Sequence, residues 1–294
     1  MSNEGLWAAV LARERAALFA GALTPIASDC QLIEQDGLEL VIRVVEGLAS
    51  KAPGPPAAAD GGRPASEPRN PFLPPDPRLT VARVGPEHLC VLNKYPVIPH
   101  HLLLLTRQYQ PQLALLTRAD LAALGACLAA ADGLGFYNGG PEAGASQPHK
   151  HLQVVPLPLG PGAAGIPLEP ALRSALGSPG QVVRSARLPF AHALIAGGLR
   201  GPEEAGPALE RYLALLRASG IGSLEGLQSA PYNLLLSRDW MLLVPRTREA
   251  WEDIAVNALG FAGALLARDW AQAARIRALG PLQILRSVTP PPRD

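Results

Sequence analysis

The chain has 294 residues, 48% of them hydrophobic and 17% charged, with a formal net charge of +1. That length can bury a sizeable core in one large domain or two modest ones, and a sequence pI of about 7.8 offers no basic surface for nucleic acid. Three scattered cysteines, Cys30, Cys90 and Cys127, with no Cys-x-x-Cys pair, suggest neither a disulfide framework nor a zinc ribbon.

From the N-terminus, Leu6, Trp7, Val10, Leu11, Ala17 and Leu18 recur at helical spacing and predict an amphipathic helix over residues 4–21. Leu38, Leu40, Ile42 and Val44 alternate with Glu39, Val41 and Arg43, the pattern of a strand with one buried face. Residues 52–77 hold nine prolines and three glycines, so this stretch is extended and not a packed element. Its first part, 52–69, reads as a flexible loop. Leu79 to Val84 and Leu89 to Leu92 predict paired strands joined at Gly85-Pro86-Glu87, and Leu102 to Thr106 a buried strand. His100 and His101 are adjacent, so in an extended segment they point to opposite faces and make poor joint metal ligands. Thr117-Arg118-Ala119-Asp120 has the form of a capping box opening a helix that runs to about Asp132.

Leu134 to Tyr137 then leads into Asn138-Gly139-Gly140, and after Gly144-Ala145-Ser146-Gln147-Pro148 a second strand is expected over His149 to Val155. Period two puts His149, His151 and Gln153 on one face and Lys150, Leu152 and Val154 on the other. A His-x-His pair on a strand, taken alone, fits a metal fragment, two structural histidines or a nucleophile. Here no third ligand stands near the pair, the next position on the face is Gln153 and not an acid, and a serine-bearing glycine loop lies just upstream. Phosphoryl chemistry accounts for all three, with Ser146 and backbone N–H groups cradling oxygens while an imidazole attacks.

Beyond a second loop at Pro156 to Pro170, Val182 to Leu188 predicts a strand, and Pro202 to Ala218 a helix with Leu209, Tyr212, Leu213 and Leu216 inward. Pro231 to Leu236 and Met241 to Val244 predict a hairpin. Trp251 to Arg277 reads as a helix broken near Gly260 and Gly263, followed by a last strand at Leu282 to Val288. Residues 1–22 lack the basic start and apolar core of a signal peptide, and no run reaches the roughly 18 apolar residues of a membrane span. A soluble, cytoplasmic protein is expected.

The string Gly-Ala-Ser-Gln-Pro-His-Lys-His-Leu-Gln at 144–153 resembles the His-x-His-x-Gln signature of the nucleotidyltransferase branch of the histidine-triad superfamily, and within it the diadenosine tetraphosphate phosphorylase (ATP adenylyltransferase) family. Asn70-Pro71-Phe72-Leu73-Pro74-Pro75, Leu92-Asn93-Lys94-Tyr95-Pro96-Val97-Ile98-Pro99-His100-His101 and Tyr232-Asn233-Leu234-Leu235-Leu236 carry the same resemblance in the same order. It implies an α+β fold, a histidine-triad-like antiparallel sheet with flanking helices over 1–165, extended by a C-terminal α+β portion over 166–294. It implies His151 as nucleophile, His149 as its orienting partner and Gln153 on a phosphate oxygen. Substrate contacts are implied for Lys51, Asn93, Lys94, Asn138, Gly144, Ala145, Ser146 and Gln147, and for residues 70–77 an ordered place against the site. Position alone makes Lys51 a solvated loop lysine. Asn257, Gly260 and Gly263 resemble the family's distal nucleotide-contacting segment, a packing glycine pair being the other reading. The implied ligands are diadenosine tetraphosphate, ATP, ADP, AMP and phosphate, with Mg²⁺ accompanying the polyphosphate and no dedicated protein cage for it. A galactose-1-phosphate uridylyltransferase-like enzyme and a non-catalytic dinucleotide sensor are the alternatives, and the sequence leaves monomer or dimer open.

Overall fold

An antiparallel sheet of nine strands forms the centre of the molecule. The computed structural model describes residues 3–45, 70–163 and 165–291, so Lys51, the 52–69 loop and the end of the polar tail lie outside the described residues. In chain order the strands are β1 (Asp29–Gln35), β2 (Leu38–Val44), β3 (Thr80–Val84), β4 (His88–Leu92), β5 (Leu102–Thr106), β6 (Gly133–Gly139), β7 (His151–Pro156), β8 (Val182–Val183), β9 (Ala193–Ala196), β10 (Ser223–Leu224), β11 (Leu227–Gln228), β12 (Tyr232–Leu236), β13 (Trp240–Pro245), β14 (Ala250–Trp251), β15 (Ile254–Ala255) and β16 (Ala264–Ala267). The helices are α1 (Asn3–Phe19), α2 (Arg118–Ala130), α3 (Glu169–Arg173), α4 (Ala205–Ser219), α5 (Ala258–Phe261), α6 (Trp270–Leu279) and α7 (Pro281–Ser287). The large sheet has the order β3-β4-β5-β7-β6-β12-β13-β9-β8, and β1-β2-β16 make a smaller sheet in which β16 pairs with β2 in parallel.

Side-chain alternation divides most of the core into two, with a small third cluster of Val91, Leu103 and Leu105 against Phe72. On one face Cys90, Leu104, Tyr137, Leu152, Tyr232 and Leu243 pack against Leu6 and Val10 of α1, Leu121, Leu124 and Leu128 of α2 and Tyr212 and Leu215 of α4. On the other, Leu134, Phe136, Val155, Leu235 and Leu242 meet Leu40, Ile42 and Val44 of β2 together with Phe261, Ile276 and Leu285. The sheet continues across the expected division at 165/166, since β8, β9, β12 and β13 extend it and β16 returns to pair with β2. The capping box at α2 is present: Thr117 accepts from the Asp120 amide and Asp120 accepts from the Thr117 amide.

The C-terminal part departs from expectation in four places. The Val182 to Leu188 strand is only two residues long, because the Ser185 amide donates to His192 Nε2 and a turn closes from Ser185 to Leu188. Residues 251–277 are not one broken helix. Asn257 caps the short α5, Gly263 turns the chain at φ 95°, and Ala264–Ala267 takes the free edge of β2 before Asp269 caps α6. The expected strand at Leu282 to Val288 is instead helix α7 ending at Ser287, with Pro281 in its first turn, Leu282, Ile284 and Leu285 buried, and Val288 buried just past its end. In α4 the inward face is Ala208, Tyr212, Leu215 and Leu216, and Leu213 is exposed. The half-exposed edge strand β1 has no counterpart in the sequence reading.

Candidate active site

The site lies on the sheet face opposite α1, α2 and α4, where the glycine loop delivers the chain into β7. Regular pairing of β7 begins at His151, and His149 makes an isolated bridge to Pro111. Residues 110–112 run beside it as a strap: the Lys150 amide donates to Gln110 O, the Gln112 amide to Pro148 O and the His151 amide to Gln112 Oε1, each at 2.8 Å. Gln112 Nε2 donates to Asn138 O at 2.8 Å and His151 O at 3.2 Å, tying β6 to β7 just past their last regular pair. Tyr137 OH in turn donates to Gln112 O.

His151 is 4% exposed, and its Nδ1 lies 2.8 Å from the His149 carbonyl. A carbonyl only accepts, so the proton sits on Nδ1 and Nε2 carries the lone pair. Burial pushes this imidazole down to about 4, which leaves it neutral at pH 7. Among the described residues nothing hydrogen-bonds Nε2, and Phe72 stands edge-on to the ring at 5.4 Å. The His149 ring is held differently. Asn70 Nδ2 donates to its Nδ1 at 3.0 Å, and its Nε2 donates to Thr106 O at 2.8 Å, with Phe72 and Tyr109 against its edges. Burial lowers its pKa as well. The contact from His149 to His151 therefore runs through the backbone carbonyl and not through the ring.

Gln153 shares the face of His151, and its amide has a defined sense. Asn93 Nδ2 donates to His101 Nδ1 at 3.1 Å, and His101 Nε2 donates to Gln153 Oε1 at 2.9 Å. The Gln153 NH₂ has no partner among the described residues and remains available as a donor. Burial pushes His101 down to about 4, so this relay is uncharged. His100 turns away at φ 58° to pair with Glu14, its Nδ1 2.6 Å from Oε2. The two adjacent histidines thus diverge as their spacing predicts, but His101 was missed as a site residue. Its signal was the period-two face it shares with Leu103 and Leu105.

Asn138 has the same construction. The register that pairs Phe136 with Gln153 brings Asn138 abreast of His151. Its Oδ1 accepts from Asn233 Nδ2 at 2.8 Å and the Ala258 amide at 3.2 Å, leaving its NH₂ without a partner among the described residues. In the loop, Gly140 and Gly144 adopt φ of 100° and 86°. The Gly144 and Ala145 amides are used within the turn, bonding Pro141 O and Gly140 O. Those of Ser146 and Gln147 have no partner among the described residues. A Cβ on Gly144 would lie 3.0 Å from Asn257 Cβ, so this close approach needs glycine.

Gly144, Asn257 and Gly260 line one cavity of about 220 Å³ with Val256, Leu265 and Arg268. Gly263 is not among its lining residues; a Cβ there would meet Pro167 Cβ at 2.8 Å, so it serves the turn after α5. Asn93 has both ends of its amide engaged within the protein, with His101 and the Tyr95 amide. Lys94 is exposed and stands over the Tyr95 ring at 5.4 Å. Lys150 points to the opposite face and is fully buried, donating to Asp120 Oδ2 at 2.6 Å and Leu115 O at 2.9 Å. Among the described residues no three His, Cys, Asp or Glu side chains could together hold a metal ion. None of the described helices is long and apolar enough to cross a membrane.

The model of the Ap4A phosphorylase N-terminal domain family matches residues 1–174, and that of the ATP adenylyltransferase C-terminal domain matches 186–291. The chain is 28% identical over 236 residues to diadenosine 5',5'''-P1,P4-tetraphosphate phosphorylase 2 of Saccharomyces cerevisiae, covering 69% of this chain and 70% of that one. It is 30% identical over 207 residues to Protein APA1 of the same yeast, covering 61% of each. The crystal structure of yeast Ap4A phosphorylase Apa2 has a TM-score of 0.81 at 22% identity, over 100% of this chain and 97% of that one. The Apa2 structure in complex with Ap4A gives 0.78 at 23% identity over the whole of both chains. The structural likeness is one of fold, whereas the two domain models match in order along nearly all of the sequence. The chain belongs to the Ap4A phosphorylase and ATP adenylyltransferase family.

Proposed function

We propose that this protein catalyses the reversible phosphorolysis of diadenosine tetraphosphate, with phosphate, to ATP and ADP. The observation that carries the reading is the state of His151: the His149 carbonyl holds its proton on Nδ1, burial keeps the ring neutral, and Nε2 is left as a nucleophile. In the first half-reaction the Nε2 lone pair forms a bond to the α-phosphorus, the bond from that phosphorus to the bridging oxygen breaks, and ATP leaves. The ring keeps its Nδ1 proton, so the adenylyl-histidine carries positive charge on an imidazolium held by the His149 carbonyl. In the second, an oxygen of inorganic phosphate attacks the same phosphorus, the N–P bond breaks, ADP departs, and His151 regains its lone pair.

The amide donors have matching tasks. Gln153 and Asn138 each have their carbonyl oxygen engaged elsewhere, so each offers N–H groups for nonbridging oxygens. Neither amide protonates a leaving group, which favours transfer to an anionic acceptor over hydrolysis. The Ser146 and Gln147 amides supply further donors from the loop, and Lys51 and Lys94 are assigned to the polyphosphate by resemblance. The cavity beside Gly144, Asn257 and Gly260 is assigned to the distal nucleotide. Mg²⁺, bound through phosphate oxygens, would screen the polyphosphate charge.

The test is incubation with diadenosine tetraphosphate and Mg²⁺, with and without phosphate, with nucleotides resolved by chromatography. Phosphate-dependent formation of ATP and ADP is the expected result. ATP and AMP formed without need of phosphate would make the enzyme a hydrolase, and tight binding without product would make it a sensor.

A further inference from the structure

Arg246, at the end of β13, is 3% exposed, yet every acceptor around it is neutral. Its Nη1 donates to Asn233 Oδ1 at 2.6 Å, its Nε to Val288 O at 3.3 Å, and its Nη2 to Arg248 O at 2.8 Å and Glu249 O at 3.1 Å. The guanidinium carbon stands 5.3 Å from the centre of the Phe261 ring. No carboxylate among the described residues forms an ion pair with it. Burial pushes it down to about 10 against the attraction of the Glu249 carboxylate, which lies beyond ion-pair distance, so it remains a cation at neutral pH. Buried arginines are ordinarily paired with an acid, because an isolated cation loses its hydration without recompense. An unpaired one is accounted for if its counter-charge arrives with a ligand.

The hydrogen bonds link this cation to the candidate site. Asn233 receives the Arg246 N–H on its Oδ1 and donates from its Nδ2 to both Asn138 Oδ1 and Ala143 O, each at 2.8 Å. One side chain thereby fixes the sense of the Asn138 amide and the base of the glycine loop, and Asn138 lies abreast of His151. Hydrogen bonds in series polarise one another, so a cation at the head of the series strengthens the donors at its end. We propose that Arg246 is a positioning residue of the adenylyl-transfer site, fixing the Asn138 amide through Asn233 and supplying the positive charge that an anionic phosphate group meets there. This rests on the phosphorolysis reading above. The contacts to Val288, Arg248 and Glu249 are also what a purely structural brace would make, so the test separates charge from bracing.

Wild type, Arg246→Gln and Arg246→Lys are compared in steady-state turnover of diadenosine tetraphosphate with phosphate, and in the rise of Tm on adding AMP. Glutamine keeps a donor but not the charge, and should lower kcat roughly 10- to 100-fold while KM moves less than about threefold. Lysine keeps the charge and should recover most of that loss. The rise of Tm with AMP should be smaller for the glutamine variant than for wild type and largely retained by lysine. Asn233→Ser, which interrupts the series while leaving the other Arg246 contacts, should show the same loss of kcat. Unchanged kcat in Arg246→Gln or Asn233→Ser would overturn the proposal. So would equal impairment of the glutamine and lysine variants in step with lowered Tm, which marks a brace alone. If wild type yields no ATP and ADP, the phosphorolysis reading fails, and the AMP-linked comparison of Tm still decides whether the charge of Arg246 meets an anion.

Discussion

An imidazole attacks only through the nitrogen that lacks a proton, and at His151 that nitrogen is Nε2 because the His149 carbonyl holds Nδ1. The same logic of one engaged end and one offered end governs Gln153, whose Oε1 is engaged by His101. His101→Leu frees that amide to rotate, and kcat should fall by about 10- to 100-fold with KM little changed; steady-state kinetics on a variant of wild-type Tm checks this, and an unaltered kcat contradicts it. Burial of His151 also has a consequence for stability. In the unfolded chain its pKa is about 6.5, and in the fold it is pushed down to about 4. The unfolded state therefore binds the extra proton, so the stability is present above pH 6.5 and is lost as pH falls toward 4. By pH 5 the loss amounts to about 2 kcal/mol. Urea unfolding at pH 7 and pH 5 should show His151→Asn losing less than wild type by that amount, and equal losses would mean that the imidazole is not desolvated.

At the scale of elements, β7 carries different chemistry on its alternate faces, and period two alone sent Lys150 away from His151. What the sequence left hidden is the partner. Asp120 lies thirty positions earlier (150 − 120) and was read only as part of a capping box, yet it also accepts from Lys150 and His88. Burial raises its carboxyl, but the His88 bond and the Lys150 charge outweigh that and hold it at about 2. Lys150→Met strands this carboxylate and should cost about 3–5 kcal/mol, whereas Lys150→Met with Asp120→Leu should cost less. Urea midpoints of the two variants decide the matter, and a single substitution costing under about 1 kcal/mol would show that the pair is not desolvated. Local pattern failed where pairing is long-range. Ala264-Leu265-Leu266-Ala267 is an apolar run that suits a helix, and only the open edge of β2, more than two hundred residues earlier, makes it a strand. Leu282 to Val288 failed for another reason: Pro281 and the 282, 285 and 284, 288 spacings were overlooked in favour of alternation.

At the scale of the whole molecule, the site is assembled from both ends of the chain. β12 inserts between β6 and β13, and Asn233 from β12 and Ala258 from α5 hold Asn138 on β6. The glycine loop and His-x-His-x-Gln were legible because their chemistry is local in sequence. Thr106, Gln112, His101 and Asn233 were not seen as parts of the site, because each is brought to it by sheet pairing or side-chain hydrogen bonds from residues distant in sequence. A sheet shared by both parts predicts one cooperative unfolding transition, with near-UV and far-UV circular dichroism coincident in urea. Two separated transitions would show the parts folding independently.

The most direct measurement is to mix the protein with diadenosine tetraphosphate in the absence of phosphate, quench under alkaline conditions, digest, and locate any adenylylated residue by mass spectrometry. The account predicts AMP on the peptide containing His151, its discharge as ADP when phosphate is added, and no adduct in His151→Asn. Turnover to ATP and ADP with an adduct on another residue, or undiminished turnover by His151→Asn, would contradict it.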